Sequence, residues 1–141
     1  MQVCVIDGRG GGLGCRLVIG LRETLGPDCQ IVALGTNEAA AEAMRLAGAE
    51  QVAAGPHAIM HMVSTVDVIV ASLNVVLPGA MLGEVTPEMV KAILAAKATK
   101  VLLPLNRARV EIVGSEDGTL DMLIARSLAR VRALAQPACQ T

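Results

Sequence analysis

Residues Val3-Cys4-Val5-Ile6-Asp7-Gly8-Arg9-Gly10-Gly11-Gly12-Leu13-Gly14 join a short apolar run to a glycine cluster and then to a stretch of helical periodicity. Five glycines fall within residues 8–14. Glycine loses more backbone freedom on folding than any other residue, so this density marks a sharp turn or a close approach to the main chain. A strand that feeds a glycine turn and then a helix N-terminus presents unpaired N–H groups and the positive end of a dipole to an anion. The stretch therefore points either to a phosphate-type site or to a tight turn that lets the first helix pack on the sheet.

The rest of the chain repeats the strand-then-helix pattern. The continuous apolar run from Val3 to Ile6 suits a strand covered on both faces of a parallel sheet. Leu13, Leu17, Val18, Leu21 and Leu25 recur at helical spacing from about Gly12, and Gly26-Pro27 ends that helix. Ile31 to Leu34 reads as the second strand, and Asn37 caps a helix that runs to about Ala47 and stops at Gly48. Gln51 to Ala53 is a short third strand, followed by a helix from Pro56 to Thr65 with proline at its first position. Val68 to Ala71 is the fourth strand. Thr86-Pro87-Glu88 starts another helix, with Val90, Ile93 and Leu94 as its buried stripe. Val101 to Leu103 is the fifth strand.

Val110-Glu111-Ile112-Val113 alternates as a sixth strand would. The link to it is too short for a parallel crossover, so it is expected to run antiparallel at an edge. A final helix from Thr119 carries Leu120, Leu123, Ile124, Leu128, Val131 and Leu134 on one face. The predicted architecture is a three-layer, Rossmann-like open α/β sheet, mostly parallel, with an antiparallel C-terminal edge strand and a C-terminal helix. One domain over residues 1–136 and a flexible tail over 137–141 are expected. In such a sheet, ligands sit beyond the carboxyl ends of the strands.

Composition narrows the partners. The 141 residues are 53% hydrophobic and 18% charged, with a net charge of −1 and no Phe, Tyr or Trp. Without a basic field or stacking side chains, a nucleic-acid platform is not expected. The high apolar content suits a homo-oligomer. The longest uncharged run, Val68 to Gly83, is shorter than a membrane span, and no signal segment precedes the first strand, so a cytoplasmic protein without membrane contact is expected. Cys4, Cys15, Cys29 and Cys139 lack CxxC spacing and are expected as free thiols.

The loops after the strands supply the candidate site residues. Gly8, Gly12 and Gly14 fit G-x-x-x-G-x-G, the turn seen in short-chain dehydrogenases and reductases, which this segment resembles. The chain has no tyrosine for that family's Tyr-x-x-x-Lys chemistry, so a short-chain dehydrogenase is excluded. A dinucleotide site carries an acid after the second strand, where this chain has Gly35-Thr36-Asn37, so Asn37 either caps the helix or bonds a ligand hydroxyl. Asn74 follows strand four and must find backbone or ligand partners. Asn106 and Arg107 follow strand five, where Arg offers a fork for carboxylate or phosphate, or else forms a solvated turn.

The cofactor-binding candidates are thus Asp7, Gly8, Gly10, Gly11, Gly12, Gly14, Thr36, Asn37, Asn74, Asn106 and Arg107. His57 and His61 share a helix face but lack a third ligand, so no metal is expected. Cys15, in the first turn of the first helix, is a candidate reactive thiol with its pKa lowered by the dipole. No nucleophile and base pair stands out; Asp7, Glu84 and His57 are the candidates for acid/base work.

Asp7-Gly8, the Gly10 to Gly12 triplet with Gly14, Leu34-Gly35-Thr36-Asn37, Met81 to Met89, Pro104-Leu105-Asn106-Arg107 and Val113-Gly114 together resemble a family of small bacterial Rossmann-like proteins known only as a domain of unknown function. That resemblance carries no activity, but it draws attention to Met81 to Met89, where Gly83-Glu84 either closes over the glycine loop or forms a subunit contact. The leading expectation is a protein that binds a nucleotide, dinucleotide or other phosphorylated small molecule at its glycine loop. The alternatives are a scaffolding homo-oligomer with a vestigial loop and a small enzyme acting on an anionic metabolite.

Overall fold

The computed structural model describes residues 1–105, 110–115 and 118–135. Five strands, β1 (Gln2–Asp7), β2 (Gln30–Gly35), β3 (Gln51–Ala54), β4 (Val68–Ser72) and β5 (Thr99–Leu103), form one sheet in the order β3-β2-β1-β4-β5. Every neighbouring pair is parallel, in registers that include Val5 opposite Ala33 and opposite Val70. The chain builds outward from β1 through β2 to β3, then returns to lay β4 against the other side of β1. The topological switch point therefore lies between the carboxyl ends of β1 and β4, immediately beside the glycine cluster.

The helices are α1 (Gly12–Leu25), α2 (Glu38–Leu46), α3 (Pro56–Met62), α4 (Pro87–Ala95) and α5 (Leu120–Ala135). Alternation along the strands divides the core into two layers. Val3 and Val5 of β1, Ile31 and Ala33 of β2, and Val68 and Val70 of β4 meet Leu17, Val18 and Leu21 of α1, Met44 of α2, and Ile124 and Val131 of α5. Cys4, Ile6, Val32, Leu34, Ile69 and Ala71 face the other way, against Ile59 of α3 and Met89 and Ile93 of α4. Three layers result, and the central strands β1, β2 and β4 are buried along their interiors without a single aromatic ring.

Small residues make the close approaches. A Cβ on Gly35 would stand 2.6 Å from both Ala41 N and Asn37 O, so the first turn of α2 lies directly on the end of β2. A Cβ on Gly20 would meet Leu128 Cδ1 at 2.6 Å, which shows how closely α5 is seated on α1. Arg16 and Asp121 pair across that same contact.

The caps read from the sequence are in place: Asn37 Oδ1 accepts from Ala40 N at 2.8 Å, and Thr86 Oγ1 accepts from Met89 N at 3.2 Å. Three other expectations need correction. α3 ends at Met62 rather than Thr65, because the Ser64 and Thr65 hydroxyls turn back to donate to the carbonyls of His61 and Met62. The buried stripe of α4 is Met89, Val90 and Ile93, while Leu94 is 58% exposed. The antiparallel edge strand is absent: residues 110–113 form no strand, Val113 is 100% exposed, and Ser115 N closes a turn on Ile112 O. Alternation alone cannot hold a strand whose Ile112 and Val113 stay exposed, and β5 stands at that edge of the sheet. The expected tail, 137–141, and Cys139 lie outside the described residues.

Because backbone, not a flexible side chain, meets the missing Cβ at Gly35, Gly35→Ala should destabilise the fold by about 1–3 kcal/mol. Urea denaturation measures this; an unchanged midpoint would show that α2 does not rest on β2 as described.

Candidate functional site

The apolar run of β1 ends at Asp7, whose side chain is only 9% exposed. Its carboxylate reaches forward to α1: Oδ1 accepts from Gly8 N at 2.8 Å and Oδ2 accepts from Gly14 N at 2.6 Å. Gly11, at φ 76°, is the N-cap of α1 and contributes no side chain. Asp7 therefore performs the capping from the preceding strand, satisfying one of the helix's orphan amides and opposing its dipole. Among the described residues the amides of Gly12 and Leu13, at the first two helical positions, are left without a partner.

The five glycines do different things. A Cβ on Gly14 would meet Met44 Sδ at 2.5 Å and Asp7 Cβ at 2.9 Å, so Gly14 lets α1 lie against the end of β1. Gly11 needs its positive φ and lies on Ala40 of α2, where an added Cβ would stand 3.0 Å from Ala40 O. Gly8 is flanked by Met81 Sδ and Thr36 Oγ1, both 2.5 Å from the place of a Cβ. Gly10 and Gly12 are different. Neither has a positive φ, and a Cβ on either would meet nothing within 4 Å.

Gly10 and Gly12 line a cleft of about 390 Å³ at the switch point, together with Asp7, Gly8, Arg9, Ser72 and Asn74. Leu13, Ala80, Met81 and Leu105 supply its apolar wall. Arg9, at φ 52°, makes no ion pair among the described residues. Ser72 Oγ accepts from Asn74 N at 3.1 Å, which fixes the turn after β4, while Asn74 Oδ1 is buried with no hydrogen-bond partner among the described residues. An orphaned buried acceptor costs about 1–3 kcal/mol and is uncommon unless a site uses it.

Thr36 and Asn37 lie beside the cleft rather than in it. Glu84 Oε1 accepts from Thr36 Oγ1 and from Asn37 Nδ2, each at 3.1 Å. Asn106 and Arg107 lie outside the described residues. The structure thus brings Asp7, Gly8, Gly10, Gly12 and Asn74 to one cleft and turns Gly11 and Gly14 into packing. Arg9 was passed over in the sequence, although a lone cation inside a glycine cluster is itself a signal of an anion loop.

Burial pushes the Asp7 carboxyl above the ordinary aspartate range, against the opposing pull of the Gly14 and Gly8 amides. Cys15 differs from expectation: burial, then the neighbouring Asp7 charge, push its thiol up, so the helix end does not activate it. Cys4 and Cys29 are buried free thiols, raised chiefly by burial. His57 and His61 are exposed on α3, and no group of three potential metal ligands occurs among the described residues. None of the described helices is long and apolar enough to cross a membrane.

A family model described as "Domain of unknown function (DUF3842)" matches residues 2–136. The chain belongs to that family. No curated protein matches it. Among solved structures, a dodecameric FMN-dependent Ubix-like decarboxylase from Escherichia coli O157:H7 is similar at 15% identity, over 93% of this chain and 91% of that chain, with a TM-score of 0.44. At that distance the likeness says nothing of ligand or chemistry.

Because the folded pKa of Asp7 lies above its unfolded value, the native state holds the proton more tightly. Its contribution is full below the ordinary aspartate range and is lost as pH rises through the raised folded value. In urea titrations across that window, wild type minus Asp7→Asn should show stability falling as pH rises. A flat or rising difference would contradict the raised pKa.

Proposed function

We propose that this protein binds a phosphorylated small molecule or nucleotide in the cleft between β1 and β4. The observation that carries this reading is that the cleft is lined by the two loop glycines for which the fold has no use. Gly8, Gly11 and Gly14 are crowded by neighbours or held at a positive φ, whereas a Cβ on Gly10 or Gly12 would meet nothing within 4 Å, and both line the cleft. Glycine at such a position keeps the main chain open to close approach.

The chemistry around them suits an anion. The free amides of Gly12 and Leu13 stand at the positive end of the 14-residue α1, and Arg9 adds a positive charge. Asp7 limits the affinity, since it is an acid in the same site. The two N–H groups that donate to its carboxylate reduce the like-charge penalty. Asn74 offers its amide at the cleft, with an acceptor that no described residue satisfies, which suits a ligand bearing a hydroxyl or N–H. The Leu13, Ala80, Met81 and Leu105 wall takes an apolar portion.

Gly12→Ala separates binding from folding. The variant should be as stable as wild type, or more stable by up to about 1 kcal/mol, because Ala is the better helix residue. In isothermal titration with a panel of nucleotides and sugar phosphates, the wild type should bind at least one member and the variant should bind it about tenfold more weakly. Silence of the wild type across the panel would overturn the reading.

A further inference from the structure

The described residues that line the cleft come from the ends of β1, β4 and β5 and from the Ala80-Met81 loop, and none of them follows β2. Met81 Sδ and Thr36 Oγ1 both stand 2.5 Å from the place of a Cβ on Gly8, so the two side chains come together over that glycine on the side toward β2. Beyond them, Glu84 Oε1 accepts from Thr36 and Asn37, the polar side chains that follow β2. In doubly wound dinucleotide sites this end of the second strand holds a ribose, through an acid about 20 residues past the glycine turn. Here an acid from a different loop accepts from the Thr36 hydroxyl and from one Asn37 N–H, and adds a negative charge at that end.

The segment that carries Met81 and Glu84 is fixed, not loose. Gly79 N bonds Val85 O at 2.7 Å, Gly83 N bonds Gly79 O at 3.0 Å, and Glu84 N and Val85 N bond Met81 O and Ala80 O, each at 3.1 Å. Met81 and Leu82 are both held at φ 56°, a conformation that non-glycine residues keep only where their surroundings impose it. Val85, 1% exposed, anchors one end in the core, and Thr86 caps α4 directly after it.

We infer that Met81 and Glu84 form a built-in plug that makes the site one-sided, admitting a compact phosphorylated ligand on the β1 and β4 side and excluding dinucleotides. This rests on the phosphate-site reading above and narrows its ligand class. Met81 serves twice, as a wall of the open half and as the barrier to the closed half.

Two measurements test it. The wild type and the Met81→Ala/Glu84→Ala double variant are titrated calorimetrically with nicotinamide mononucleotide and with NAD, which differ by the adenosine half that the end of β2 would have to hold. Wild type should bind the mononucleotide at least tenfold more tightly than NAD, and the double variant should narrow that gap to within about threefold. Equal wild-type affinities would overturn the plug and leave the phosphate site standing, whereas silence with nicotinamide mononucleotide, NAD and pyrophosphate alike would overturn both. Independently of any ligand, amide hydrogen exchange in the free protein should be slow at Gly83, Glu84 and Val85. Glu84→Ala should speed exchange at Gly83 and Val85 by about tenfold. Exchange of these wild-type amides at unstructured rates would overturn the plug even if the mononucleotide binds.

Discussion

The bond that Gly14 N donates to Asp7 Oδ2 fixes the relation between the first strand and the first helix, and most of the site follows from it. A helix start leaves four amides without partners, and a capping side chain commonly comes from the residue just before the helix. Here that place is taken by Gly11, which has no side chain, so the acceptor is delivered from the end of β1. The carboxylate can reach only because Gly14 lacks a Cβ, which would otherwise stand 2.9 Å from Asp7 Cβ and 3.1 Å from Oδ2. Strand, turn and helix are thereby tied into one rigid unit around a buried acid. What is left for a ligand is the remainder: two amides, two open glycines and Arg9.

The aliphatic core suits this arrangement. With no ring anywhere in the chain, the layers are filled by Val, Ile, Leu, Ala and Met, and the helices settle close to the sheet over small residues. Gly35 under α2 is the clearest case, and Gly20 of α1 does the same for α5 at Leu128. Close-packed aliphatic layers are tolerant in composition but unforgiving in volume. Met44 and Met81 show the flexible side chain at work, each bringing its sulfur against a glycine of the loop where a branched residue would fit less easily.

The parallel strands were legible because burial on both faces demands continuous apolar runs, and the caps at Asn37 and Thr86 were legible because they depend on residues three apart. Long-range partners were not. Glu84 lies 48 residues from Thr36 in sequence, and no local pattern announces that a loop after β4 will bring a carboxylate to the end of β2. The missing acid of the dinucleotide pattern thus reads from sequence as an absence and in the fold as a substitution from elsewhere. Residues 110–113 differ in the opposite sense: a local alternation is present, but Ile112 and Val113 stay exposed. Cys15 departs from its expected activation because burial, and after it the nearby charge of Asp7, push its thiol up.

Asp7 also orders the charges of the site. Asp7 and Glu84 place two acids on the β1 and β2 side of the glycine turn, and Arg9 stands in the turn itself. For the phosphorylated ligand proposed above, the Gly12 and Leu13 amides and Arg9 would attract the anion, and Glu84 would repel it. Attraction and repulsion then agree on one orientation: the anion toward the start of α1, and the uncharged part toward Asn74, Ala80 and Leu105. Under that proposal, acids placed around a short row of amides trade affinity for selection among anions.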